Sequence, residues 1–373
     1  MHLIIERATL LKALGHVQNV VEKRNTIPIL SNLLLSAEKG KLFFSATDLD
    51  MEIVDVADAQ VRIEGQITAP AHTFYEIVRK LPDGSDVELS FDSQAEQRLS
   101  IISGRSRFAL PVLPAGDFPI MVSDPDGVSF MILREELKRL IDKTRFAIST
   151  EETRYYLNGL FMQTITEDGS AYLRTVATDG HRLALAEMPA PEGSLSAPGV
   201  IIPRKTVDQV RRLLDDGQGA VTITVSAMKI RFEMDNASLT SKIIDGSFPD
   251  YGRVIPRNND KLLRADAKVL AKAVDRVSTI SAEKSRSVKL TIEQGRLILN
   301  VRNMEAGQAV EEFEVDYDQE PLEIGFNARY ILDVMSQIDG EMVELRLADQ
   351  ASPTLIIDPS DHGLQYVLMP LRV

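Results

Sequence analysis

A period of about 130 residues, read three times along the chain, limits the fold more than any other feature, because repeated units build their core by packing on one another. The first copy runs from LLKALGHVQNVV through ILSNLLLSAEKGKLFFSATDLDMEIV, the second from LKRLIDKTRFAIS through YYLNGLFMQTI and AYLRTVATDGHRLALAEM, and the third from LAKAVDRVSTIS to VKLTIEQGRLILNVRN. Behind each comes a second set in the same order: APAHTFYEIVRKL then DVELSF, IPRKTVDQVRRLL then AVTITVS, and FNARYILDVMSQI then MVELRLA. Aligning Pro70, Pro203 and Asn327 gives offsets of 133 and 124, so three copies fill the 373 residues.

Within each copy the apolar period switches between helix and strand. Leu137, Leu140 and Ile141 fall on one face of a short helix, as do Val207, Val210 and Leu214. Val87, Leu89 and Phe91 alternate as a half-buried strand does, and so do Val221, Ile223 and Val225. Short turns such as Glu38-Lys39-Gly40 and Asp179-Gly180 join the strands as meanders, which favours antiparallel sheets. The expected class is α+β, with two helices packed on antiparallel sheets in each repeat. Prolines 111, 114, 119 and 125 crowd one stretch, and Pro249 with Pro256 brackets another. The domains are therefore expected at 1–125, 126–255 and 256–373.

The absence of cysteine removes disulfide scaffolds, thiolate zinc sites, iron–sulfur clusters and cysteine nucleophiles together. No apolar run approaches the roughly 18 to 20 residues of a membrane span, and Glu6, Arg7 and Lys12 break the opening segment, unlike a signal peptide. A cytoplasmic protein without membrane partners is expected. A net charge of −13 argues against nucleic acid as long as charge is evenly spread. It is not. Six helix windows, 7–15, 74–81, 134–145, 204–214, 268–276 and 329–338, together carry +10, which leaves −23 for the rest of the chain. Either Lys and Arg sit there as good helix formers on solvated faces, or the helices share a surface that faces a polyanion.

The segments NTIPILSNLLL, SGRSRFALPVLPAGDFP, RYYLNG, RTVATDGHRLA, VIIPRK, SFPDYGRVIP and YVLMPLRV resemble the bacterial DNA polymerase III beta subunit, the replicative sliding clamp, across all three repeats. The resemblance implies a DNA-clamp fold and a head-to-tail homodimer, a six-domain ring whose helices line a hole around duplex DNA. It implies a processivity factor with no catalytic residue, metal or cofactor. The partners it implies are the replicative polymerase, a clamp loader, other polymerases and repair factors, all docking through short linear peptides. A specialised paralogue, for example an inhibitor-resistant one, would carry the same motifs.

The peptide groove implied by the resemblance uses Leu157, Thr178, Gly180, His181, Arg182, Leu183, Pro249, Arg253, Val254, Val367, Met369, Pro370, Leu371 and Arg372. Leu, Val and Met suit an adaptable apolar floor, while Arg182, Arg253 and Arg372 can hold peptide carbonyls or a carboxylate. Gly252, Ser285 and Leu371 depart from the family pattern and bear on peptide preference. Two other readings compete here: Asp179 orienting His181 as a general base in a hydrolase, and an Asp-Gly hairpin turn. No HExxH, P-loop, GxSxG or dinucleotide fingerprint accompanies the first.

For DNA, Arg24, Arg154, Tyr155, Tyr156, Arg204 and Lys205 match inner or rim positions of the family, and His72 stands where some relatives carry Arg. Lys138, Arg139, Lys205, Arg211 and Arg212 add helix charge. The dimer contact is expected to set the edge strand SGRSRFAL, with Arg105, Arg107 and Phe108, against Ile280, Glu311 and Glu312.

Overall fold

A computed structural model describes residues 1–92, 97–122, 126–281 and 286–372. The boundary expected at residue 125 and the groove-edge Ser285 lie outside the described residues. Six α-helices are present among those described: α1 Arg7–Val17, α2 Ala71–Lys80, α3 Arg134–Thr144, α4 Arg204–Leu213, α5 Ala267–Ser278 and α6 Ala328–Met335. Each follows a short strand directly and is followed by three more, so one strand–helix–three-strand motif occurs six times, twice per sequence period. The first is His2–Glu6, α1, then Asn32–Glu38, Lys41–Thr47 and Met51–Asp58. The last is Leu322–Asn327, α6, then Met342–Leu347, Thr354–Ile357 and Leu364–Leu368.

Local chemistry fixes the helix ends. The Asp266 carboxylate accepts from the Lys268 and Val269 amides at the start of α5, and Asn327 accepts from Arg329 N–H at the start of α6. Arg79 and Lys80 end α2, Lys143 ends α3, Arg211 and Arg212 end α4, and Arg276 ends α5. Cations there offset the negative end of the helix dipole, so part of the helical charge has a local cause.

Within each repeat the two halves exchange their leading strands. His2–Glu6 pairs with Asp86–Ser90 of the second half, while Gly65–Pro70 pairs with Asn32–Glu38 of the first. The same exchange joins Val128–Leu133 to Ala220–Val225, Val200–Pro203 to Gly159–Glu167, Lys261–Asp266 to Met342–Leu347, and Leu322–Asn327 to Ser287–Glu293. All these pairings are antiparallel, as the short turns predict.

The chain gathers into two compact units. The first, 1–135 with 191–198 and 205–243, holds a five-stranded and an eight-stranded sheet. Its larger sheet crosses from one sequence repeat to the next where Met51–Asp58 meets Ala237–Lys242, with Ile53 opposite Leu239. The second, 136–190 with 199–204 and 244–373, holds a four-stranded and an eight-stranded sheet, the latter joined where Arg182–Pro189 meets Leu364–Leu368. Each period holds two motif copies, and each unit holds two sheets.

In the first unit α1 packs on α2, and Leu10, Leu14 and Val17 on α1 are fully buried. In the second, α5 packs on α6, and Leu270, Val274 and Ile331 are buried. Each such side chain contributes about 2 kcal/mol of burial. The faces read from sequence are the buried ones: Leu137, Leu140, Ile141, Val207, Val210 and Leu214 are all at most 4% exposed. No helix among the described residues is long and apolar enough to cross a membrane.

Candidate functional site

In the second unit a buried apolar cluster lies beside the turn that links Ser170–Thr178 to Arg182–Pro189. The turn is held by its own side chains. The Thr178 hydroxyl donates to Arg182 O at 2.7 Å and accepts from Gly180 N–H at 3.1 Å. Asp179 Oδ1 accepts from the amides of His181 (2.9 Å) and Arg182 (3.0 Å). Gly180 has φ +88°, a backbone conformation that favours glycine, and the Arg154 guanidinium lies close against it.

These bonds settle two readings. The Asp179 carboxylate is occupied by two amides and by Arg182 Nε at 3.0 Å, so it does not orient the His181 imidazole; the hairpin-turn reading describes the geometry. His181 is exposed and stacks instead on Tyr330, with ring centroids 6.4 Å apart. Arg182, expected to hold a peptide, is also bound within the fold. Its side chain is 9% exposed, and two further N–H groups reach Asp333 Oδ2 at 2.5 Å and Phe146 O at 2.7 Å. The guanidinium lies over the Tyr330 ring at 4.4 Å and near Phe146 at 5.1 Å. Three of its five N–H donors are thereby engaged within the fold.

Below the turn, Val176, Leu183, Leu185, Tyr251, Leu355 and Val367 form a buried cluster, with Phe161, Phe248, Ile255 and Ile357 packed against it. Leu157, Leu183 and Val367 are thus foundation, 4%, 2% and 1% exposed, while Met369, Pro370 and Leu371 are half-buried beside them. On the other side the 249–254 segment supplies exposed Pro249, Arg253 and Val254, with Arg253 tied to Asp250 at 2.8 Å. The chain end is fastened by Met369 N–H to His181 O (2.9 Å) and Leu371 N–H to Gly325 O (2.8 Å), leaving Arg372 exposed. Sequence reading missed Tyr330, Phe161, Phe248 and Tyr251; the last two stand inside the quoted SFPDYGRVIP, where an aromatic pair in a loop was the available signal.

The basic residues divide into two groups. Arg139 makes a bidentate pair with Asp361 at 2.6 and 2.9 Å and donates to Glu187 O at 3.2 Å. Lys205 Nζ reaches Asp48 at 2.5 Å and Glu22 at 3.1 Å; burial works against its charge, but these carboxylates outweigh it and hold the ammonium above its ordinary range. Arg211 pairs with Asp215 at 2.7 Å. Arg134 and Lys143, also counted in the helix windows, are 5% and 8% exposed and bound to Asp235 and Asp339. His72, matched to a DNA-facing position, is half-buried: Nδ1 bonds Gln18 at 2.9 Å and Nε2 bonds Val21 O at 2.9 Å, tying α2 to the end of α1. Arg24, Tyr155, Arg204 and Arg212 are exposed, Lys138 and Tyr156 half-buried, and Arg154 pairs with Glu151. Tyr155 and Tyr156 meet edge to face at 5.8 Å. Ion pairing therefore engages part of the helix charge, while Lys12, Lys80, Lys268 and Lys272 are exposed as well.

Among the described residues four sheet-edge strands have no further strand or bridging backbone bond beside them, Gln60–Ile63, Val128–Leu133, Ser106–Pro111 and Gly307–Glu314, and the last two differ in charge. Ser106–Pro111, the end of the five-stranded sheet, exposes Arg107 and Phe108 and is preceded by exposed Arg105. Gly307–Glu314, the end of the four-stranded sheet, carries Glu311, Glu312, Glu314 and Val310, which is 59% exposed; half-buried Ile280 follows α5 in the same unit. Arg276 pairs with Glu311 and holds its carboxyl below the usual range, while Glu312 lies 3.6 Å from Arg296. Four further edges are met by one or two backbone bonds, Thr68 to Leu113, Ile201 to Ile244, Arg264 to Asp316 and Gly325 to Leu371. Among the described residues no group of three or more His, Asp or Glu side chains could hold a metal ion.

Family models of the DNA polymerase III beta subunit match three consecutive stretches: the N-terminal domain over 1–122, the central domain over 131–250 and the C-terminal domain over 252–372. A beta sliding clamp from Caulobacter vibrioides is 68% identical over 373 residues, all of both chains, and that of Escherichia coli K12 is 40% identical over 374, again all of both. Among solved structures, a Caulobacter crescentus beta sliding clamp superposes with a TM-score of 0.97 at 68% identity, covering 100% of this chain and 99% of that one. A Bartonella birtlesii sliding clamp bound to griselimycin does so with 0.97 at 48% identity, covering all of both.

Proposed function

The chain belongs to the DNA polymerase III beta subunit family and is a DNA sliding clamp, a non-catalytic processivity factor; we propose that two copies close head to tail into a ring around duplex DNA. The pair of open edges formed by motif-ending strands, Ser106–Pro111 and Gly307–Glu314, supports this reading. Numbering the six motifs along the chain, the last strand of the first joins that of the fourth, and the third joins the sixth. The second and fifth are left with open edges. A second copy continues the rule, its fifth motif meeting the second of the first copy, and dyad symmetry makes the contact twice. A basic edge with Phe108 then meets an acidic edge with Val310 and Ile280, which favours encounter of the correct surfaces.

Each subunit has three clamp domains on this reading, 1–125, 126–255 and 256–373. DNA is held without base readout, since specific contacts would oppose sliding; exposed Arg24, Tyr155, Arg204 and Arg212 meet phosphate or sugar directly or through water. The surface around His181, Val254 and Met369 takes short linear peptides of the replicative polymerase, the clamp loader, other polymerases and repair factors in the cytoplasm. A C. crescentus clamp structure with polyethylene glycol at a proposed beta-motif tethering region, and the griselimycin-bound B. birtlesii clamp, support a ligand-binding surface of this kind, and griselimycin is proposed to bind here too. The reading is tested by loading the protein on nicked circular DNA and raising the salt. Retention on circles, with escape once the circle is cut, is expected; equal retention on circular and linear DNA would sink encirclement.

A further inference from the structure

The aromatic loop that forms one wall of the groove is anchored from below by a buried cation. Strands Gly159–Glu167, Ser170–Thr178 and Arg182–Pro189 lie side by side, and their register sets two cross-strand rows on one face. One row is apolar: Phe161, Val176 and Leu185. The next is polar: Gln163, Arg174 and Glu187. Tyr251 lies across both. Its ring joins the apolar row in the buried cluster, 6.4 Å from Phe161 and 6.5 Å from Phe248, while Phe161 and Phe248 stack at 4.8 Å. Its hydroxyl oxygen reaches the polar row, accepting from Gln163 Nε2 and from Arg174 Nη1 at 3.3 Å.

Arg174 is itself fixed. It is 7% exposed, donates to Glu187 Oε2 at 2.8 Å and Glu167 Oε2 at 2.9 Å, and its guanidinium carbon sits 6.0 Å from the Tyr251 ring centre. From Tyr251 the backbone turns tightly: its carbonyl accepts from Val254 N–H at 3.0 Å and Ile255 N–H at 3.3 Å. Arg253 and Val254 are therefore hung from a residue 9% exposed, whose one polar atom is gripped by the sheet. Few other bonds locate them. The Arg253 side chain is 86% exposed and its ion-pair partner, Asp250, is on the same segment.

We propose that Arg174 is a positioning residue for ligand binding: through the Tyr251 hydroxyl it sets the height and rigidity of the 249–254 wall without touching the ligand. A wall fixed before binding needs no ordering when the ligand arrives, which is where preorganised sites gain affinity. The inference rests on the peptide-groove reading above.

The test uses the full-length protein with griselimycin as probe. Tyr251→Phe removes one oxygen and leaves the ring packed; Arg174→Lys keeps the charge for Glu167 and Glu187 but shortens the reach to the hydroxyl. Each is expected to weaken binding about fivefold to tenfold, and the double variant no more than either alone. The chain contains no Trp, so Val254→Trp supplies a single fluorescent reporter on the wall. Its anisotropy in the unliganded protein is expected to fall when either change is added. His181→Ala with Met369→Ala tests the groove itself and is expected to weaken binding in every background. If that pair has no effect, the groove reading fails. If it weakens binding while Tyr251→Phe stays within twofold of the parent and the reporter is unmoved, the positioning role of Arg174 is refuted.

Discussion

Arg182→Met separates the two neighbours at the groove turn, one structural and one exposed. The guanidinium is nine-tenths buried and held by Asp179, Asp333 and Phe146 O, with two aromatic rings against it. Met fills most of the volume, so the loss is electrostatic. Breaking a buried pair by removing one partner costs about 3 to 5 kcal/mol. The lower end applies, because Asp179 keeps two amide donors and Asp333, 31% exposed, can be resolvated. A loss of about 3 kcal/mol in the second unit corresponds to roughly 6 to 12 °C in its melting transition. His181→Ala, which removes an exposed ring stacked on Tyr330, is expected to cost under about 1 kcal/mol and to weaken griselimycin binding. Urea titration by circular dichroism, run beside calorimetric binding on both variants, gives the comparison. If Arg182→Met leaves stability within about 0.5 kcal/mol of the parent yet abolishes binding, the guanidinium serves the ligand and the argument from its partners is wrong.

At the proposed dimer contact, Phe108→Ala with Ile280→Ala is expected to yield monomers at nanomolar protein; an unchanged mass in solution would defeat that interface assignment. His16 lies between Asp55 and Asp216, 2.5 Å from each; burial disfavours its charge, yet the two carboxylates outweigh this and raise its pKa above the ordinary 6.5. A raised folded-state pKa gives stability that is full below 6.5 and is lost as pH climbs through the folded value. The stability gap between wild type and His16→Asn should therefore be wider at pH 6 than at pH 9, and a gap that grows with pH would contradict the pairing. Arg204→Gln with Arg212→Gln is expected to flatten the salt dependence of DNA binding by up to about two ions. Arg139→Gln, by contrast, should destabilise the fold and leave that slope alone, and equal slopes for the two variants would count against the division into exposed and paired cations.

Periodicity made the helix faces, the strand alternation and the sixfold motif readable, because each depends on residues close in sequence. Side-chain partnerships were not readable for the converse reason. Arg182 meets Asp333 across 151 positions, Lys205 meets Asp48 across 157, and Arg139 meets Asp361 across 222. A charge count over a helix cannot see such partners, so it overstated the free cation at Arg139 and Lys205. The exchange of leading strands was equally hidden, since alternation shows that a segment is a strand and is silent on its neighbour. The turn at 178–182 was legible as a hairpin through Asp179-Gly180, whereas its fixation by Arg182 required the distant helix α6.

The order of synthesis places a demand on the strand Met51–Asp58. Its neighbour Ala237–Lys242 emerges about 180 residues later, which at 5 to 20 residues per second is roughly 10 to 40 s on the ribosome. Throughout that interval one side of the strand is an unsatisfied template open to any other nascent chain. Glu52, Asp55 and Asp58 stand along it, and the first two end up 6% and 4% exposed, receiving the Met121 amide and His16. Carboxylates that look expensive in the finished sheet are solvated while the strand waits, and they make it a poor partner for a stranger until its own partner arrives.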